Sequence, residues 1–558
     1  MPLAFLVEML ALEMRRVIVD RTFPKKKPRA GPLMIERISG SSDGKGGLMN
    51  GARKIMWTTL LVAGCVTAAW TARTAGAGGD DSDEPELAPK ERIETFELKN
   101  GLDVIVVRDH SLPLVTIEVI VRSGAFAEPP RMNGLSHLYE HMFFKGNREI
   151  PNQEAYLKKV RRLGMVFNGE TRDESVSYYF SLHKDRLADG LVFMKNALLH
   201  PLFEKEELRK EKSVILAEYD RAESQPHFHL QRAVNKALWP KNWSRKDALG
   251  DRDVIRKATA AQLRWIKQQY YQPSNTALIV AGDVTTSKAR RLAREVFGGW
   301  KGQPVKLPEV EFPPLDGHQI RFVNQPVRSA TVMIALRGPA LRKDSSATYA
   351  ADVLSFAINQ RTSSFQKALI RSGLANRVSV FYLTRRAPGP IYVGLTTSPK
   401  NVLPAIKAAV EGMQTWDRAE AVTDQQIAAA KVRLKVQDVY AREKTSSFSH
   451  LLGRWWASAS ISYYLSYVSN LQKVTRADLS RFVRTYIKGK PMVVGVLVSR
   501  ADQQEVGLTE DALREVLTAV VGSGGKGKEE SGAEGGRPRA SGGDRESISP
   551  RRSKRGRK

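Results

Sequence analysis

Residues 133–147, "NGLSHLYEHMFFKGN", decide how the chain is read. Inside this stretch "HLYEH" places His137, Glu140 and His141 within five positions. The surrounding pattern is helical, and on an α-helix residues i, i+3 and i+4 share a face. Two imidazoles one turn apart can hold a single Zn2+. A carboxylate beside them can take a proton from water activated by the ion. The order inverts the H-E-x-x-H of other zinc peptidases. The competing reading is three polar residues on an ordinary helix.

A zinc site needs further protein ligands. Residues 205–224, "KEELRKEKSVILAEYDRAES", read as a helix with Glu211 and Glu218 two turns apart on one face. Glu218 follows the apolar run "SVILA" and is expected to point inward. Taken alone, such glutamates usually face solvent.

Together, "GLSHLYEHMFFKGN" and "EKSVILAEYDRAESQP" resemble the pitrilysin/insulinase metallopeptidases, the inverzincins. "FNGETRDESVSYYFSL" (167–182) is similar to the segment between them, where the family usually reads N-A-x-T before an alternating strand. The resemblance covers about 93–520 and is strongest in the first half. It implies one Zn2+ per chain held by His137, His141 and Glu218, with Glu140 as the base. It also implies Glu211 as a second residue orienting the ligands and Asn168 against the substrate backbone. An extended peptide is expected to add to the sheet edge near 176–182. Active single-chain members carry an Arg and a Tyr in the second half, which assist substrate and transition-state binding. In "ALIRSGLANRVSV" the matching positions are Leu369 and Asn376. The resemblance therefore implies the zinc-bearing subunit of a pair, completed by a homologous subunit or a second copy that supplies Arg and Tyr.

The pattern around these motifs is α+β. "ETFELKNGLDVIVV" (94–107) has Asn-Gly between two strand-like runs, a hairpin signal. Strands are expected at 114–124 and 276–282, with helices at 134–146, 151–163, 184–199, 203–224 and 285–299. After the Pro-rich stretch 301–317 the order restarts: strands at 319–337, a helix at 345–372, strands at 378–383 and 389–397, helices at 401–417, 423–444 and 451–468, and a strand at 491–498. This predicts two structurally duplicated halves, 93–300 and 318–520, joined by a linker at 301–317. Each is an antiparallel-rich sheet flanked by helices, and the two face each other across a chamber. The aromatic stretch 451–468 contains Arg454 and several serines, so it reads as an internal helix and not a membrane span.

The formal net charge is +29. Much of it sits at the ends, in residues 1–77 and 521–558, and the body has no basic run. The composition therefore implies no specific nucleic-acid partner. Residues 49–77 read as a signal peptide, with basic Arg53 and Lys54, a short apolar region and small residues at 75–77. "VAGC" ends at the single cysteine, Cys65, and resembles a bacterial lipoprotein box, so plain secretion and a lipid anchor both stand. Translation starting at Met49 would make 1–48 a mis-called extension. Residues 78–92 read as a disordered tether and 521–558 as a disordered basic tail. These signals point to the bacterial cell envelope, in the periplasm or on a membrane. Two alternatives remain. A non-catalytic structural subunit would have no need of an intact H-x-x-E-H. A mitochondrial-type processing peptidase would carry a transit peptide, against which "VAGC" and the acids in 1–48 argue. His227 and His229 in "QPHFHL" follow Pro226 in an expected loop, and His110 and His200 have no partner nearby in sequence.

Overall fold

The computed structural model describes residues 92–522. The extension, the signal, Cys65, nearly all of the tether and the tail from 523 lie outside the described residues.

Two sheets organise the chain. The first contains β1 (Ile93–Glu97), β2 (Asp103–Arg108), β3 (Leu114–Val121), β4 (Val166–Thr171), β5 (Val176–His183) and β6 (Thr276–Gly282), in the order β1-β2-β6-β3-β5-β4. The second contains β7 (Gln319–Asn324), β8 (Ala330–Arg337), β9 (Arg377–Tyr382), β10 (Pro390–Thr397) and β11 (Val493–Val498), in the order β7-β11-β8-β10-β9. Without β1, the two orders are the same. Each has one parallel pair in the same place, β2 with β6 and β7 with β11, and every other neighbour is antiparallel. The α+β class and the duplicated halves are as expected. Asn100-Gly101 turns the first hairpin, with Gly101 at φ 87°.

The halves are in direct contact because each lends the other a helix. Pro226–Leu238, the first crossing helix, lies on the second sheet. There Leu230, Val234 and Leu238 pack with Ala335, Val493 and Leu497. Thr445–Ser458, the second crossing helix, lies on the first sheet. There Phe448, Leu452 and Trp456 pack with Ile105, Ile120 and Ile279. Glycine allows both approaches. A Cβ on Gly495 of β11 would collide with the Val234 side chain, and one on Gly453 would touch Ile120 and Ile279 at 3.3 Å.

Several local expectations change. The stretch 176–182 is not a sheet edge: β5 is paired on both sides, and the open edge is β4. Alternation identifies a strand, but its place in the sheet depends on distant partners. Pro226 does not open a loop. It is the first residue of the first crossing helix, where a missing N–H costs nothing. The helix expected at 451–468 is two, ending at Ser458 and restarting at Ile461, with Ser460 Oγ accepting from Tyr463 N at 3.0 Å. The helix expected at 345–372 ends at Ile358. Residues 301–315 form no helix or strand but are packed down, with Asn242 donating to Glu311 O at 2.7 Å and Phe312 against Trp239. Among the described residues, no helix is long and apolar enough to cross a membrane.

Candidate metal centre

The motif helix, Leu135–Phe143, is buried along its whole length except at His137. Leu138, Tyr139, Met142 and Phe143 fix it in the first core. Its start has no cap from its own sequence. Glu128 takes that place, its carboxylate accepting from Gly134 N at 2.8 Å and Ser136 N at 2.5 Å. Burial pushes the Glu128 carboxyl up to about 7, against the pull of those two N–H groups. Gly134, at φ 97°, meets Gly250, at φ 84°. A Cβ on Gly250 would collide with Gly134 Cα.

This seat delivers His137 and His141 to the second glutamate-bearing helix, Lys205–Glu223. His141 Nε2 lies 3.2 Å from His137 Nε2 and 3.6 Å from Glu218 Oε2, and His137 Nε2 lies 3.7 Å from Glu218 Oε2. The three atoms form a nearly equilateral triangle. Donors ~2.0–2.2 Å from a tetrahedral Zn2+ stand roughly 3.3–3.6 Å apart. His141 Nδ1 donates to Glu211 Oε2 at 3.0 Å, so in the neutral ring Nε2 presents its lone pair to the triangle. Burial lowers the His141 pKa, but the Glu211, Glu140 and Glu218 carboxylates outweigh it and raise it overall. Positive charge is thus favoured where the triangle lies.

Glu211 is itself held, with Lys145 against its other oxygen. Burial raises the Glu211 carboxyl, and His141 with Lys145 more than compensates, keeping it ionised. Sequence reasoning missed Lys145. The available signal was its spacing, four residues beyond His141. It also missed Glu128, for which no local pattern exists. Glu140, 5% exposed, lies within 4.8 Å of the two histidines. It stands directly under β4: a Cβ on Gly169 would collide with Glu140 Oε1. Asn168 is beside Gly169 on that open edge.

The other histidines are elsewhere. His110 pairs with Asp283 at 2.6 Å, His200 with Arg148 at 3.0 Å, and His229 Nε2 lies 2.7 Å from Glu223 O. His227 is on the first crossing helix. Leu369 is buried in the second core, and Asn376 is exposed at the start of β9.

Residues 103–251 match the family model described as Insulinase (Peptidase family M16), and residues 257–434 the one described as Peptidase M16 inactive domain. A Bacillus subtilis protein described as uncharacterized zinc protease YmxG is 24% identical over 360 residues, covering 64% of this chain and 86% of that protein. The mitochondrial-processing peptidase subunit beta of Blastocladiella emersonii is 23% identical over 397 residues, 70% of this chain and 84% of that one. A solved protease from Helicobacter pylori superposes with a TM-score of 0.65 at 21% identity, covering 73% of this chain and 99% of that one. The first half of the periplasmic protease PqqL from Escherichia coli gives 0.66 at 19%, covering 78% and 98%. At these identities the solved structures speak for the fold.

Proposed function

The chain belongs to the insulinase (M16) peptidase family, and from that premise we propose that it is a zinc-dependent endopeptidase, cutting peptides or small unfolded proteins. The observation that carries this is the triangle of His137 Nε2, His141 Nε2 and Glu218 Oε2 with the Glu140 carboxylate beside it. Those three atoms would hold the ion. Bound there, Zn2+ supplies the positive charge that makes water acidic enough to react near neutral pH. Glu140 takes a proton from the attacking water at its carboxylate and hands it to the leaving amine. Glu211 and Lys145 keep His141 in the tautomer with Nε2 free. The open edge of β4 accepts an extended peptide by backbone pairing, which is indifferent to sequence, with Asn168 and Gly169 opposite the bond to be cut.

In this reading the chain is the metal-bearing member of a two-subunit enzyme or homodimer. Leu369 and Asn376 support this, since neither can act as the Arg or Tyr of self-sufficient relatives. Loss of one oxyanion donor elsewhere costs ~10²–10³ in rate. The purified chain should therefore bind one zinc and cleave slowly, and a homologous subunit with the Arg/Tyr pair should accelerate it by about that factor. Equal rates with and without any such subunit would end the split-site reading. The signal-like 49–77 supports placement in the bacterial envelope. Cell fractionation checks it, and Cys65→Ala separates lipid anchoring, which it abolishes, from plain secretion, which it leaves intact.

A further inference from the structure

Strand β4 passes over Glu140 at Gly169 and ends at Thr171, and the chain then enters a group of arginines. Arg172 pairs with Glu170, and its Nε is a buried donor with no acceptor. Arg454 comes from the second crossing helix, one turn beyond His450. That histidine packs against Tyr179 of β5 with its ring tilted, the ring centres 4.3 Å apart. Arg385 and Arg386 come from the β9–β10 connection, Arg342 from beyond β8, and Arg122 from the end of β3. All six are at least partly open to solvent.

The local carboxylates are already engaged. Glu118 accepts from Ser449 at 2.6 Å and lies 2.7 Å from His450 Nδ1, and Asp173 accepts from Arg385 at 2.7 Å. Glu174 accepts from the backbone N–H groups of Arg386 and Ala387, and Asp103 from Trp456 Nε1. Among the described residues, the side chains of Arg342, Arg386 and Arg454 make no hydrogen bond or ion pair. Burial, then Arg172, lowers Arg454 to about 10. Burial, then Arg386, does the same to Arg122. Arg122 donates to Trp456 O at 3.1 Å and Arg385 to Asp173, so the unspent donors are Arg172 Nε and the guanidiniums of Arg342, Arg386 and Arg454, contributed by both halves, an arrangement relieved when an anion joins them.

We propose that this cluster is a subsite for a carboxylate of the bound peptide, about three residues from the bond that is cut. The spacing follows from the strand, because Arg172 is three residues beyond Gly169, ~10 Å at ~3.3 Å per residue. The inference rests on the edge-strand peptidase reading. The carboxylate is supplied by an acidic side chain or by the peptide's own C-terminus.

Binding tests it without turnover. Fluorescein-labelled peptides of one length are titrated into the zinc-loaded Glu140→Gln chain: a neutral C-terminal amide, the same sequence as a free acid, a glutamate scan, and a lysine scan. At least one acidic form should bind roughly tenfold tighter than the neutral amide, and lysine should weaken binding. The glutamate scan against the free acid distinguishes the two sources. The advantage should vanish in Arg342→Gln/Arg454→Gln. Arg342→Glu, at an exposed side chain without a partner, tests the same charge with the fold intact and should reduce it. Equal affinity for neutral and acidic peptides, or a preference unmoved by these variants, overturns the proposal. The metal-stripped wild-type chain separates the subsite from the chemistry: an acidic preference there, with no hydrolysis under any condition, keeps the subsite and removes the peptidase reading.

Discussion

His141 uses both ring nitrogens, one on Glu211 and one on the triangle, so two glutamates seven residues apart have different duties. Exchanging Glu211 and Glu140 for glutamine, one at a time, separates the orienting role from that of the base. Glu140→Gln should keep zinc and lose at least ~100-fold in rate, the low end for general-base loss. Glu211→Gln should keep Glu140 in place but weaken zinc ~10–100-fold. Zinc content by atomic emission and peptide turnover check both, and near-normal turnover in Glu140→Gln would reassign that residue to structure. The spacing of His137, Glu140 and His141 was legible from helical periodicity, whereas Glu211 and Glu218, two turns apart on one helix, were singled out only by the resemblance to the insulinase family. Lys145 and Glu128 were not legible, because a buried salt bridge and a cap from outside the helix depend on where distant segments meet.

The motif helix starts where two glycines leave room for each other, which makes Gly250 as much a part of the site as any ligand. Gly250→Ala introduces a Cβ against the Gly134 backbone at a positive φ. The expected cost is ~1–3 kcal/mol, read as a shift of the urea midpoint, with weaker zinc retention because His137 moves with the helix start. A midpoint unchanged from wild type would show that the two segments part easily. Periodicity located the strands and several helices to within a few residues, but it overran the helix that stops at Ile358, merged the two that meet near Ser460, and did not give sheet position. The alternation of "VSYYFSLH" is the same for an edge strand as for the interior strand it proved to be.

At the scale of the molecule, the duplication was visible as a repeated order of elements, but the exchange of crossing helices was not. Nothing in Leu230, Val234 and Leu238 says which sheet they cover. The exchange makes the halves interdependent. A fragment ending at residue 317 would leave the first crossing helix without its sheet and the first sheet without its cover. It should be insoluble or associate when expressed alone, and form a single soluble species when co-expressed with residues 318–522. Size-exclusion chromatography decides this, and a monomeric, cooperatively melting first fragment would count against it.

The exchange also sets a clock during synthesis. The last strand of the first sheet is complete at Gly282, yet the helix that covers that sheet begins only at Thr445. At ~5–20 residues per second, the ribosome needs roughly 10–30 s to cross that gap. For that time the nascent chain carries an uncovered apolar face of Ile105, Ile120 and Ile279, a surface suited to a holding chaperone. The histidine pair can gather early, while the finished first half cannot form until the second is nearly made.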